Sequence, residues 1–190
     1  MSTKRSLKKT LLNSPSVIRD SAAIRGIFRA SEKIEARFGK GRGDDFEAPD
    51  GYPLPPADLR VAISRIADGE NHWNGGVQSR VSIESILSGQ GLSMSQFGPI
   101  LDFGSGAGRV LRQWQDLDNL ELHGCDYNAE AIAWAAENLT FATWAANQLE
   151  PPLPYEADSF DLVYALSVFT HFPAPLQTAW MAEMARVIRP

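Results

Sequence analysis

Ile100-Leu101-Asp102-Phe103-Gly104-Ser105-Gly106-Ala107-Gly108-Arg109 is a short apolar run closed by an acid, then three glycines at alternate positions, then a helical pattern. Glycine at 104, 106 and 108 lets the chain turn sharply out of a strand and brings backbone close to a ligand where a Cβ would collide. The spacing separates ligand classes. A dinucleotide fingerprint, Gly-x-Gly-x-x-Gly, needs Gly or Ala at position 109, and this chain has Arg109. A helix is expected to begin near Ala107.

Three further stretches follow at the distances that successive βα units produce. Leu120-Glu121-Leu122-His123-Gly124-Cys125 ends in Asp126, the place where a second parallel strand would carry an acid. Asp126 and Asn128 equally suit caps for a helix from Ala129 to Leu139. Ala145-Ala146-Asn147-Gln148 closes a third strand, and Asn147 is either a ligand contact or the polar start of a Pro-rich loop. The run from Ser159 to Phe172 is almost unbroken in its apolar character, which suits a parallel strand buried on both faces. Its carboxyl end opens where doubly wound sheets bind ligands, so residues 167 to 171 are expected at the reacting centre.

These residues together resemble class I S-adenosylmethionine-dependent methyltransferases, with Asp102 to Gly108 standing as the family's first motif. The resemblance covers roughly residues 50 to 190. It implies an α/β fold, a doubly wound Rossmann-like sheet of order 3-2-1-4-5-7-6, with S-adenosylmethionine as cofactor. Residue by residue, it implies that Asp102 reaches the cofactor ammonium and that Gly104, Ser105, Gly106 and Gly108 form the turn against it. Asp126 would take the ribose hydroxyls, Asn147 the adenine amino group with Gln148 beside it, and Ser167 would stand at the loop after strand four. Tyr127 lies against adenine or packs on the surface, and Arg109 balances the cofactor carboxylate or makes a salt bridge outside.

No Asn-Pro-Pro-Tyr-like sequence occurs, so the signature of enzymes that methylate exocyclic amino groups of DNA bases is missing. The implied acceptor is a small molecule, as in bacterial methyltransferases of uncharacterised substrate. The implied chemistry is in-line displacement at the sulfonium methyl, for which the protein supplies alignment. For a hydroxyl or protonated amine acceptor, His171 is the histidine placed to act as base; otherwise it orients its loop ahead of the helix starting at Pro173. Two other classes compete: a protein that binds S-adenosylmethionine without catalysis, and an NAD(P)-dependent oxidoreductase, against which the Gly-x-Gly-x-Gly-Arg order argues.

A chain of 190 residues, 44% hydrophobic and 22% charged, buries one good core, so a single α/β domain with an amino-terminal addition is expected. No segment has the roughly 20 apolar residues of a membrane span, and the basic start is not followed by the apolar stretch of a signal peptide. Cys125 is the single cysteine, which rules out an internal disulfide and a Cys-rich metal site; no metal and a cytoplasmic location are expected. Charge is uneven. Residues 1 to 42 hold eleven of the 18 Lys and Arg against three acids, a net of +8 that leaves −13 for the rest.

That basic arm has Ile24, Ile27, Phe28, Ile34 and Phe38 on one side of an expected helix from about Ser16 to Phe38. It suits phosphate, acidic lipid, an acidic partner or the acidic body of its own domain. It is the sole support for a nucleic-acid partner, which is not expected. Gly39 to Pro56 holds four glycines and four prolines and reads as a linker or strap, so residues 1–57 are set apart from a core of 58–190.

Leu59 to Ile66 alternates like a strand, Gly75 to Leu92 reads as a helix, and His72 with Trp73 forms a lid or a solvent loop with one anchored ring. Strands one to four and a helix from Ala174 to Ile188 exhaust the chain, so the core is expected to lack the last three strands. That would leave strand four at an edge, open to self-association or covered by the amino-terminal region.

Overall fold

The computed structural model describes residues 45–190, so the basic arm and its amphipathic segment lie outside the described residues. Four strands form one parallel sheet: β1 (Pro99–Phe103), β2 (Glu121–Asp126), β3 (Thr143–Ala146) and β4 (Leu162–Tyr164), in the order β3-β2-β1-β4. The register pairs Asp102 with Gly124 on one side and with Tyr164 on the other. Among the described residues four helices surround it: α1 (Ala57–Ser64), α2 (Gly69–Gly89), α3 (Ala129–Asn138) and α4 (Ala174–Val187).

Alternate residues of the central strand feed different cores, as a pleated strand requires. Ile100 packs with Ile83 and Leu87 of α2 and with Trp114; Leu101 and Phe103 pack with Leu176, Trp180 and Val187 of α4. Helices therefore cover both faces of the sheet, as expected for a doubly wound arrangement. Cys125 is a buried filler in the second core. Among the described residues no helix is long and apolar enough to cross a membrane.

Four expectations are corrected. Residues 59–66 are not a strand but mostly helix α1, because the alternation assumed that Arg60 faces water and it does not. Arg60 is buried, with Nη1 donating to Pro55 O at 2.6 Å and Nε to Ala67 O at 2.9 Å, so three successive residues, Leu59, Arg60 and Val61, are all withdrawn from water. Helix α2 begins at Gly69 rather than Gly75, with Asp68 accepting from Asn71 N at 2.8 Å as its cap. His72 and Trp73 are consequently helix residues, not a lid or a loop, and His72 is wholly buried. No α-helix starts near Ala107: Gly104, Gly106 and Gly108 all hold positive φ, and a 3-10 turn follows only at Leu111–Trp114.

The fourth concerns strand four. β4 is three residues long and half-buried rather than a long strand sealed on both faces, because it is the outer strand among the described residues. Just ahead of it Phe160 makes one isolated parallel bridge to Ile188, and Arg189 N donates to Phe160 O at 2.8 Å.

Residues 50–53, ahead of α1, are tied to the turn that follows the glycines. Arg112, in the turn that follows the glycines, donates to both carboxylate oxygens of Asp50, at 2.7 and 2.8 Å, and to Tyr52 O and Pro53 O. Both ends of that ion pair are buried, with side chains 1% and 5% exposed. Trp73 covers the guanidinium at 5.3 Å.

Candidate functional site

The carboxyl ends of β1, β2 and β4, together with the end of α1, enclose a cleft of ≈ 580 Å³. With the exception of Gly108, every residue expected to touch the cofactor lines it: Asp102, Gly104, Ser105, Gly106, Asp126, Tyr127, Asn147, Gln148 and Ser167. His171 lines it as well, exposed at the rim in a 3-10 turn, and Ser167 stands at φ 58° in the loop after β4.

The glycines serve the fold as much as any ligand. A Cβ on Gly104 would come within 2.3 Å of Val168 Cγ2, and one on Gly106 within 3.3 Å of Ile63 of α1. Gly108 turns from the cleft altogether: its Cβ would meet Trp144 at 2.5 Å, and the same indole lies 2.4 Å from the Cβ position of Gly124. Gly108 therefore fits the sheet to the turn above it rather than a ligand to the cleft.

Asp102 is buried near the end of β1. Trp114 Nε1 donates to Tyr164 Oη at 3.3 Å, and the Tyr164 hydroxyl in turn hydrogen bonds to the Asp102 side chain. The other carboxylate oxygen, Oδ2, is buried with no partner. Burial pushes the Asp102 carboxyl up to about 7; the Asp126 charge adds to this, while Tyr164 and Arg109 oppose it. A charge held at such cost is a place where a cation gains most.

Asp126 accepts from Gly106 N and from Asn128 N, both at 2.8 Å, so it ties the glycine turn to the start of α3. Burial raises its titration, against the backbone donors of Asn128, Gly106 and Tyr127. Each oxygen still has a lone pair for an outside donor. The cap expected at this end of β2 is supplied by Asn128, whose Oδ1 accepts from Glu130 N and Ala131 N at the start of α3.

Asn147 is buried; its Nδ2 donates to Gln148 O at 2.7 Å and its Oδ1 has no partner. Tyr127 is exposed at the mouth. Arg109 lines the cleft half-buried, and its guanidinium makes no ion pair or hydrogen bond among the described residues.

What sequence reasoning missed is the wall opposite the sheet. Ile63, Ser64 and Arg65 at the end of α1, and Ser79 of α2, all line the cleft. Reading 59–66 as a strand hid them, and a buried Arg60 left no signal in a hydrophobic pattern.

Residues 100–190 match the model of a family described as a methyltransferase domain. Over that stretch, just under half of its length, the chain is similar to S-adenosylmethionine-dependent methyltransferases. Its sheet order is the first four positions of that family's sheet. Among solved structures, a candidate S-adenosylmethionine-dependent methyltransferase from Methanococcus maripaludis superposes with a TM-score of 0.52 at 14% identity, over 78% of this chain and 64% of that one, a likeness of fold. A methyltransferase from Aquifex aeolicus gives 0.43 at 21% identity, covering 48% and 51%. A chain from the complex of the Haloferax volcanii Trm112 methyltransferase activator with its candidate methyltransferase gives 0.42 at 25% identity, covering 48% and 41%. The match thus spans less than two thirds of each of these proteins.

The family implies S-adenosylmethionine as cofactor, and the residues present fit that group. The two unpartnered buried atoms of the cleft, Asp102 Oδ2 and Asn147 Oδ1, are both acceptors, as an ammonium and an adenine amino group require.

Proposed function

We propose that this chain binds S-adenosylmethionine along the ends of β2, β1 and β4 and transfers its methyl group to a small-molecule acceptor. The observation that carries the reading is the row of acceptors in one cleft: Asp102 for an ammonium, Asp126 for vicinal hydroxyls, Asn147 for an exocyclic amine. When bound, the cofactor supplies an activated methyl group on a good leaving group. The chain's own residues hold and orient it: Asp102 fixes the amino-acid end, the turn at Gly104 to Gly106 brings backbone close, and Asp126 fixes the ribose. Val168 and Phe172 line the same cleft and would help exclude water from it.

His171 faces the same space from the rim and takes the proton when the acceptor is a hydroxyl or a protonated amine. The acceptor enters over Leu166 and Ser167, both exposed at the mouth.

The test is calorimetric titration of S-adenosylhomocysteine into the protein and into Asp126→Ala, with thermal melts of both. Saturable binding that stabilises the wild type and is weakened in the variant supports the pocket. A folded wild-type chain that ignores the ligand removes the reading. Turnover of a methyl acceptor then separates an enzyme from a protein that only binds the cofactor.

A further inference from the structure

Among the described residues five buried side-chain atoms lack a hydrogen-bond partner, and four of them belong to residues that line two separate cavities. Asp102 Oδ2 and Asn147 Oδ1 belong to the cofactor cleft. His123 Nδ1 and Tyr155 Oη belong to a second cavity of ≈ 380 Å³ at the other end of the sheet, where Glu121 opens β2 and Phe160 precedes β4. No residue lines both. Five residues separate Glu121 from Asp126 along β2, so the two ends stand about 17 Å apart at the rise of an extended strand. Buried polar atoms left unpaired are costly, and a pair of them in one cavity marks a place where a ligand gains by supplying the missing bonds.

The groups of this second cavity accept hydrogen bonds. His123 Nε2 lies 2.9 Å from Glu121 Oε1; a carboxylate only accepts, so Nε2 carries the hydrogen and Nδ1 of the neutral ring is a bare lone pair. Burial pushes the Tyr155 titration up, so its oxygen is a neutral hydroxyl with lone pairs to spare. Glu121 and Asp158 are exposed, and no hydrogen bond or ion pair engages the Asp158 carboxylate among the described residues. Arg189, also in the lining, is already matched: Nη1 lies 2.6 Å from Asp161 Oδ1 and Nε donates to Asp158 O at 3.0 Å. Negative charge and spare lone pairs therefore remain. An anion would meet two like charges here, whereas an ammonium brings positive charge, three donors and no acceptor. The walls suit its carbon part, since Tyr155, Phe160 and His123 pack edge to face with ring centres 4.9, 5.2 and 6.0 Å apart.

We propose that this second cavity binds the primary ammonium group of a small organic cation, with His123 Nδ1 and Tyr155 Oη accepting from it and Glu121 and Asp158 supplying the opposite charge. The inference stands independently of the cofactor reading.

The test is a titration of the full chain with butylammonium, followed residue by residue in nitrogen–proton correlation spectra. The amides of Glu121, His123 and Phe160 should shift saturably. Butanol, which has the chain without the charge, and butyltrimethylammonium, which has the charge without an N–H, should bind there about tenfold more weakly or worse. Glu121→Gln and Asp158→Asn should each weaken butylammonium about two- to fivefold, and Tyr155→Phe about tenfold. Ligand-free Tyr155→Phe should melt no lower than wild type, because the hydroxyl it deletes has no partner to lose.

Shifts confined to the amides of Gly104, Ser105 and Asp126 would put the ammonium on Asp102 in the cleft and overturn the second site. So would a control ligand that matches butylammonium, an affinity indifferent to both Tyr155→Phe and Glu121→Gln, or the lack of any saturable shift. A Tyr155→Phe protein that melts well below wild type also overturns it, since the hydroxyl then serves the fold.

Discussion

Arg109 and Arg112 are three residues apart after the same glycine turn, both withdrawn from water, and the chain treats them in opposite ways. Arg112 is saturated: a bidentate carboxylate, two backbone carbonyls and the face of Trp73 occupy it. Arg109 lines the cleft and spends its guanidinium on nothing among the described residues. The carboxylates repeat the contrast, since Asp50 is fully engaged and Asp102 keeps a buried oxygen unpartnered. A satisfied buried charge contributes to architecture; an unsatisfied one is held ready for a ligand.

Removing one member of the saturated set is the severest way to test this. Arg112→Ala leaves Asp50 as a buried lone carboxylate and should lower stability by about 3–5 kcal/mol in urea denaturation. Arg109→Gln should stay within about 1 kcal/mol of wild type in the same measurement. Equal losses would erase the distinction between the two arginines.

On the ligand side, Asp126→Ala should weaken S-adenosylhomocysteine at least tenfold, on the order of 1.5–3 kcal/mol, in calorimetric titration. An unchanged constant would leave Asp126 as a tie between the glycine turn and α3 and nothing more.

The contrast also has a pH signature. The folded state raises Asp102 from 3.8 to about 7, so between these values it keeps a proton that the unfolded chain has lost. Stability of the ligand-free protein through this group should therefore fall as pH rises across that window and level off above it. Binding of an ammonium needs the ionised form, so affinity for S-adenosylhomocysteine should climb toward pH 7, by up to about tenfold per unit, and then flatten. Asp102→Asn should bind more weakly with that slope removed; a variant that keeps the slope would assign it to another group.

The smallest effect is expected where a charge pair is wet. Arg189 and Asp161 pair at 2.6 Å but are 46% and 30% exposed, so Arg189→Ala should cost under about 1 kcal/mol in the same urea series. A loss approaching that of Arg112→Ala would show that saturation, rather than burial, sets the ranking.

Much of the site was legible because it lies at strand ends that local pattern marks. Asp102, Asp126 and Asn147 each close or follow an apolar run, and β1, β2, β3 and α3 stand where those runs place them. The wall of α1 was not legible, since a pattern of polarity assumes that an arginine is outside and Arg60 is inside. Nor was the clamp on the strap: Asp50 and Arg112 are 62 residues apart, and nothing local to either announces the other. Gly108 shows a different limit, because a motif records that a side chain is forbidden without recording what forbids it. Here the obstacle is Trp144, not a ligand.

That indole has a consequence for descent. Trp144 lies over the places where Gly108 and Gly124 would carry a Cβ, so one ring gauges the gap between the glycine turn, β2 and β3. Positions 124 and 144 form a single mutational unit: a lineage that enlarges 124 must first trim 144, and one that trims 144 opens a void that a larger residue at 124 can fill, whereas 108 is also held to glycine by its φ of 80°. Among related chains 124 and 144 should therefore drift together, and a combinatorial library at these two positions should return its folded members as matched pairs of roughly constant total volume.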